Sequence, residues 1–393
     1  MNGRTREYLK GRFGDHYRRA SLSPPPAANE REWGYITWGD GGTTMVRHHS
    51  YLDVTGGGDL GGFLAGERPR HVYFSAGRYD DPGASSMGQK GWRGSDLVFD
   101  LDADHLPGID PSETSYAAML EACKGALSRL LDLLVEDFGF EPLAVVFSGG
   151  RGYHVHVRRD DVLELDRTAR REIVEYVLGE GLDFDDIVST QAVAGSAGRS
   201  SPAQKRTLPD GGWAGRVRTR LTTLFDEVLT MEEAAALDRL REFDGIGEGK
   251  AKAALTAARN NREELTKGNV DVHPAVYSIA RELFETVVEA ESAPIDEPVT
   301  TDINRLIRLP GSLHGGTGLE VQHLDRDAID AFDPLSDAVP ETFVGNEIAI
   351  YTQEPTTVEL RGESFRLSEG VSSVPEYVGV FAMARGYASK AGE

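Results

Sequence analysis

The chain has 393 residues, and its 64 Asp and Glu against 42 Lys and Arg give a formal net charge of −22. With 39% hydrophobic and 27% charged residues it is a folding composition for two or three domains, which excludes a disordered chain. A single cysteine, Cys123, excludes an intrachain disulfide and an all-cysteine zinc site, and no apolar run approaches the ~18 residues that span a bilayer.

The first 20 residues read as a short basic helix, mostly solvated, without the apolar stretch of a signal peptide, so a cytoplasmic protein is expected. A breaker-rich linker follows at 21–30. From there to about residue 160 the pattern is strand-rich: Gly34–Trp38, Thr44–Val54, His71–Gly77, Asp96–Asp104, Leu143–Gly149 and Tyr153–Arg159. Apolar residues at a helical period predict one helix over Tyr116–Phe138. Residues 161–290 read as a mostly helical subdomain, and strands return in 291–393. The expected organisation is therefore α+β: a catalytic core split between 1–160 and 291–393, with a helical insertion between its halves.

Three segments carry chemistry. In Asp96–Asp104 a strand would turn Leu97, Phe99 and Leu101 into a core. Asp100 and Asp102 would then project together from the other face, about 7 Å apart. Such a pair suits a hard divalent cation, Mg2+ or Mn2+; a solvated acidic edge strand is the alternative. In Val145–Val157 a glycine-rich turn joins two apolar strands. Ser148 and Arg151 add a hydroxyl and a cation to backbone amides that can meet an anion, and His154 and His156 share one face beyond it. A plain hairpin and a zinc site on the two histidines stay open. In Pro294–Gly315, Asp296 lies in an extended stretch, and Thr301 or Asp302 can cap a short helix ended by Pro310, with Arg305 and Arg308 on one face. The following Pro310–Gly315 turn carries His314.

Taken together, these segments resemble the archaeo-eukaryotic primase family, in particular the small catalytic subunits of archaeal DNA primases. Asp96–His105 looks like the family's metal-binding strand, Ser148–Val157 like its SGxRGxH hairpin, and Asp296–Gly315 like its third motif. The likeness implies the primase fold, with Asp100, Asp102 and Asp296 as catalytic, metal-binding aspartates. It implies nucleotide contacts from Ser148, Arg151, His154, Arg308 and His314. Arg31–Trp33 and Met45–Arg47 resemble a further family segment, so Glu32 and Arg47 are expected to line the same cleft, and Lys90–Trp92 fits as well. The implied activity is template-directed primer synthesis on single-stranded DNA from NTPs or dNTPs by two-metal nucleotidyl transfer during replication. The implied partner is a large iron–sulfur subunit in a heterodimer, with no membrane involved. A metal-dependent nuclease or phosphoesterase and a repair-type primase-polymerase are the alternatives.

The zinc knuckle of many relatives lacks counterparts here beyond Asp104, His105 and Cys123, so no zinc is expected. Gly316 stands where relatives often carry Lys. Asp244–Ala251 resembles the turn of a helix-hairpin-helix as much as a plain interhelical turn. Only 8 of the 42 basic residues are Lys, the rest Arg. Together with the acid excess this matches a protein of salt-saturated cytoplasm, where net charge says little about partners.

Overall fold

The structure, a computed structural model, describes residues 1–20, 22–39, 45–193 and 203–392. Ser21 of the expected linker, Thr44 of the second strand run and residues 194–202 of the helical block lie outside these. The chain divides into two compact units. One comprises Met1–Leu127, Phe140–Val174 and Pro294–Glu393; the other comprises Ser128–Gly139 and Glu175–Ala293. Helices and sheets are mixed and every strand pairing among the described residues is antiparallel, so the chain is α+β.

The first unit is built on two sheets. One has the order β10-β3-β1-β2, with β4 also on β3. Its strands are β1 (Arg31–Ile36), β2 (Met45–His49), β3 (His71–Tyr79), β4 (Trp92–Ser95) and β10 (Leu306–Arg308). The other, β11-β6-β7-β5, contains β5 (Leu97–Asp102), β6 (Leu143–Phe147), β7 (Gly152–Val157) and β11 (Gln322–Leu324). Phe74 of β3 stacks on His156 of β7, ring centroids 6.2 Å apart, so the sheets meet face to face. Alternation places Leu97, Phe99 and Leu101 in the core at 0% exposure, while Asp100 and Asp102 are half-buried on the opposite face of β5.

One buried ion cluster ties the sheets together. Arg31 is fully buried and spends every N–H: on Pro26 O, on Ser75 O and Ala76 O, and on both oxygens of Asp96 at 3.0 and 2.8 Å. Asp96 also accepts from Arg78 and Arg158. Burial of these charges is sustainable because each is paired and hydrogen-bonded.

Three local expectations are corrected. The N-terminal helix, Gly3–Tyr17, is not a solvated one. Leu9, Phe13 and Tyr17 are buried, and Tyr8 and Arg12 both bond Glu376 at the start of the helix Glu376–Arg385. Tyr51–Thr55, read within a strand run, is a helix, because Ser50 and Asp53 form a capping box ahead of it. Leu306–Arg308, read as helical, is β10. It pairs with Ser75–Tyr73 of β3, which offers a backbone partner that an isolated helix of this length lacks. The short helix lies upstream, at Glu297–Thr301, with Asp296 as its N-cap residue.

A three-stranded sheet completes this unit in the order β15-β12-β16, from β12 (Glu347–Thr352), β15 (Gly370–Pro375) and β16 (Ala388–Lys390). Beside it lies the hairpin of β13 (Thr356–Leu360) and β14 (Glu363–Leu367). Among its described residues the second unit holds the longer helices Gly212–Thr230, Glu233–Leu240, Glu248–Asn260 and Pro274–Glu291, and the hairpin of β8 (Ser189–Val193) and β9 (Ala203–Thr207). Its core includes Trp213, Val217, Ile279 and Leu283.

Candidate active site

β5 and β7 set the site. Their register places Asp100 opposite His154 and Asp102 opposite Gly152. The strands approach so closely there that a Cβ on residue 152 would lie 1.7 Å from Leu101 O, so only glycine fits. His154 Nε2 is 3.4 Å from Asp100 Oδ1. On the free side of β5, Asp296 N donates to Asp100 O at 2.8 Å, so the third aspartate is fastened to the first through the main chain.

A cavity of about 360 Å³ opens between the two sheets. Asp100 and His154 form one wall; Arg47, Tyr73, Arg305 and Arg308 form the other, with Asp302 and Asn304 at its edge. In a chain of net charge −22, this space has three arginines against two carboxylates. Arg308 lies 5.9 Å from the Tyr73 ring centroid, and its Nε is buried without a hydrogen-bond partner among the described residues. A buried cationic donor left unsatisfied is costly, and an anion in the cavity would satisfy it.

Burial raises the Asp100 carboxyl to about 6, with a further push from Asp102, while Arg308 and Arg305 pull it down. Burial, helped by the same two arginines, lowers His154 to about 3, so its imidazole is neutral. His156 is neutral for the same first reason. Two half-buried carboxylates on one face of one strand, one of them reluctant to ionise, are the chemistry a divalent cation resolves. Asp100 and Asp102 therefore fit as oxygen ligands. No three His, Cys, Asp or Glu side chains converge as a ready metal cage among the described residues. His105 is exposed, whereas Cys123 is fully buried with its Sγ toward Leu101 O at 3.7 Å.

The remaining predicted residues gather around two interlocked turns. Gly149 has φ +73°, and a Cβ there would lie 2.8 Å from the His314 Cβ, so the Gly149 turn packs directly on His314. Gly150 N donates to Ser148 Oγ at 3.3 Å, and the Tyr116 hydroxyl donates to Gly150 O. Thr317 Oγ1 donates to Gly149 O at 2.6 Å and sits 3.1 Å from His314 Nδ1. Burial, with Arg308 and His71 nearby, holds His314 well below the usual histidine range. Arg151 reaches back to Asp102 (Nε to Oδ1, 3.5 Å) and to Asp104.

Thus the structure brings Asp100, His154, Arg47 and Arg308 to one cavity, adds Arg305, and keeps Asp102, Asp296, Ser148, Arg151 and His314 on the segments around it. Glu32 is placed differently from the expectation. It is fully buried and does not line the cavity. It accepts from Arg47 Nε at 2.9 Å and His48 N at 3.1 Å, and pairs with Lys90 Nζ at 2.9 Å, itself fully buried. Glu32 thus positions Arg47. Tyr73 and Asn304 escaped the sequence reading, and Asp302 entered it only as a helix cap. For Tyr73 a signal existed: in the strand run His71–Gly77 alternation sets it on the face opposite Val72 and Phe74. In the Asp244–Ala251 turn, Lys250 Nζ folds back onto Gly245 O at 2.9 Å and Asp244 N donates to Glu282.

A carboxylate facing three arginines across one cavity suits an enzyme that handles phosphate esters. The family model of the DNA primase small subunit matches residues 99–323. Curated relatives named DNA primase small subunit PriS match over the full chain: 63% identity in Haloarcula marismortui and 59% in Halobacterium salinarum, each covering 100% of both chains. The relative from Methanothrix thermoacetophila is 40% identical over 99% of both. The chain belongs to the DNA primase small subunit family. Its role is that of the catalytic primase subunit in DNA replication, a nucleotidyltransferase, which sets aside the nuclease and repair-type alternatives. No helix among the described residues is long and apolar enough to cross a membrane.

Proposed function

We propose that primer synthesis takes place at Asp100, in the cavity facing Arg47, Arg305 and Arg308. The observation that carries this is the juxtaposition itself: a carboxylate with a raised pKa across from three arginines, one with an unsatisfied buried N–H. In the reaction a primer 3′-oxygen bonds to the α-phosphorus of an incoming nucleotide, and the bond to pyrophosphate breaks. Arg308, Arg305 and Arg47 bind the triphosphate and offset its charge, which suits a transfer governed by positioning and electrostatics. Asp100 and Asp102, with Asp296 fastened beside them, would hold Mg2+ or Mn2+. Bound there, the ions supply charge neutralisation and a lower pKa for the attacking hydroxyl. His154, neutral, lines the cavity beside Asp100, where it can meet the nucleotide. Ser148, Arg151 and His314 shape the rim that receives the phosphates.

The same reading gives the first unit the archaeo-eukaryotic primase fold and makes the template single-stranded DNA. It makes the partner a large iron–sulfur subunit; one cysteine cannot supply such a cluster in this chain. The test is primer synthesis on single-stranded DNA with labelled NTPs and dNTPs, at low and multimolar KCl, with and without a large subunit. Wild-type protein yields primers, and Asp100→Asn, equally folded, yields none. Normal synthesis by that variant would sink the assignment.

A further inference from the structure

Behind the two interlocked turns lies a second cavity, of about 540 Å³, in the same unit. It is lined by Met1, Asn2 and Arg6 at the start of the chain, by Trp38 just after β1 and Arg70 just before β3, by Tyr351 of β12 and by the segment Met383–Ser389. Its described lining contains Arg6, Arg70 and Arg385 and no Asp or Glu. In a chain with 64 acidic residues this is a marked local reversal. A larger cavity of about 710 Å³ in the same unit has Glu320, Asp337 and Glu341 beside Arg19 and Arg361, so its charges are mixed.

Its aromatic residues are unusual too. Tyr351 and Tyr387 are 42% and 37% exposed, so both rings offer open area on which a planar group can stack. The Trp38 side chain is buried, and its Nε1 has no hydrogen-bond partner among the described residues. Arg70 lies over the Trp38 ring at 5.7 Å, and Arg385 over the Tyr387 ring at 5.4 Å with bonds to its hydroxyl. Cations interleaved with open rings match the two faces of a single-stranded nucleic acid: bases stack on rings, and phosphates meet guanidinium groups. Small anions need no exposed rings.

This cavity is also wired to the candidate active site. Arg70 Nε donates to Gly315 O at 3.3 Å, beside His314. Arg385 lies 4.8 Å over the Tyr116 ring, whose hydroxyl bonds Gly150 O of the other turn. A strand lying on Arg70 and Arg385 would therefore sit one contact from each turn that frames the nucleotide site.

We propose that this groove binds a single-stranded nucleic acid segment, stacking its bases on Tyr351 and Tyr387 and pairing its phosphates with Arg70 and Arg385. The inference rests on the primase reading, because that reading supplies a strand to bind. The test uses the full chain and a fluorescent single-stranded DNA oligonucleotide carrying 4-thiothymidine. Tyr351→Ala/Tyr387→Ala should weaken its binding about 10-fold or more, within the range expected for lost stacking on one or two bases. Triphosphate affinity should stay within about twofold. Photoadducts of the wild type should map to the segments around Tyr351 and Tyr387. Unchanged strand affinity in a double variant with a native circular dichroism spectrum, or adducts only elsewhere, would overturn the proposal. So would a double variant that binds the strand normally but no longer associates with a large subunit, since the groove would then be a protein contact. Failure of the primase reading would show separately, as wild-type protein that makes no primer.

Discussion

His154 stands directly across β5–β7 from Asp100, with 3.4 Å between Nε2 and Oδ1, and the two do not form an ion pair. Burial keeps the imidazole neutral, with a pKa of about 3, so it brings no positive charge to a carboxyl already raised to about 6. The charge that would hold Asp100 ionised must come from Arg308, Arg305 or a bound cation. This makes Asp100 a residue whose ionisation costs stability until a ligand arrives.

That cost is measurable. The Asp100 pKa is raised on folding, from 3.8 to about 6, so its contribution is fully favourable below pH 3.8 and is lost as pH rises through 6. At pH 7.5 without metal, Asp100→Asn should therefore be more stable than wild type, by up to about 3 kcal/mol at 1.36 kcal/mol per pK unit. The gain should shrink toward zero near pH 4. Urea denaturation at both pH values, with chelator present, checks this. Added Mn2+ should stabilise only the wild type, and a variant no more stable than wild type at pH 7.5 would refute the burial argument.

His314 supplies a second pH dependence. The Thr317 hydroxyl gives its one proton to Gly149 O, so at His314 it accepts, and Nδ1 must carry the hydrogen. The imidazole is neutral in the free protein, which leaves Nε2, beside Gly150, as an acceptor. A phosphate oxygen there must bring a proton with it. Triphosphate binding should take up protons near neutral pH, and affinity should rise as pH falls from 8 to 6. Calorimetry in two buffers of different ionisation enthalpy measures the uptake. Comparison with His314→Gln subtracts the ligand's own titration. Equal uptake in both proteins would remove His314 from phosphate binding.

How far the sequence revealed this site depends on the range of the interactions involved. The alternation of Leu97, Phe99 and Leu101 with Asp100 and Asp102 is local, and so was legible. The glycines at 149 and 152 marked a turn, but their physical reasons, His314 and Leu101 O, lie far away in the chain. The Arg305–Arg308 segment misled because i, i+3 spacing suits a helix, while the deciding partner, β3, lies more than 200 residues earlier. Glu32 misled in the same way. Nothing near it announces that Arg47 and Lys90 will close over it. Tyr73 became a site residue only when β10 brought Arg308 alongside.

The buried Glu32–Lys90 pair yields a stability prediction. Burial alone would raise the Glu32 carboxyl, but bonds from Arg47 and Lys90 outweigh it and hold the group below its usual range. Glu32→Gln leaves Lys90 charged, buried and without its counter-ion. The expected loss is about 3–5 kcal/mol, the usual cost of breaking a buried pair from one side. Glu32→Gln/Lys90→Met should recover much of it, because the double variant buries no unpaired charge. In the single variant, if it folds, the triphosphate KM should rise as Arg47 loses its anchor. Denaturation midpoints for the cycle decide the matter, and additive losses would show that the two residues do not act as a pair.

The last prediction concerns the charge of −22. Relatives at 56–63% identity come from haloarchaea, where concentrated salt screens a carboxylate surface. In dilute buffer the Debye length is about 10 Å or more, so neighbouring acidic groups repel across the surface; at 1 M it falls to about 3 Å. Folding gathers those charges closer than the unfolded chain does, so salt should stabilise the folded state. The thermal midpoint should climb between 0.1 and 1 M KCl, and primer synthesis should climb with it. Screening alone is nearly complete by 1 M. A midpoint that keeps rising toward 3 M would show that hydration of the carboxylate surface adds to screening, whereas full stability and activity at 0.1 M would refute the salt adaptation and leave the active-site assignment intact. Binding of single-stranded DNA should weaken as KCl rises, because its phosphates pair with Arg70 and Arg385, and the part that persists at 3 M measures stacking on the exposed rings.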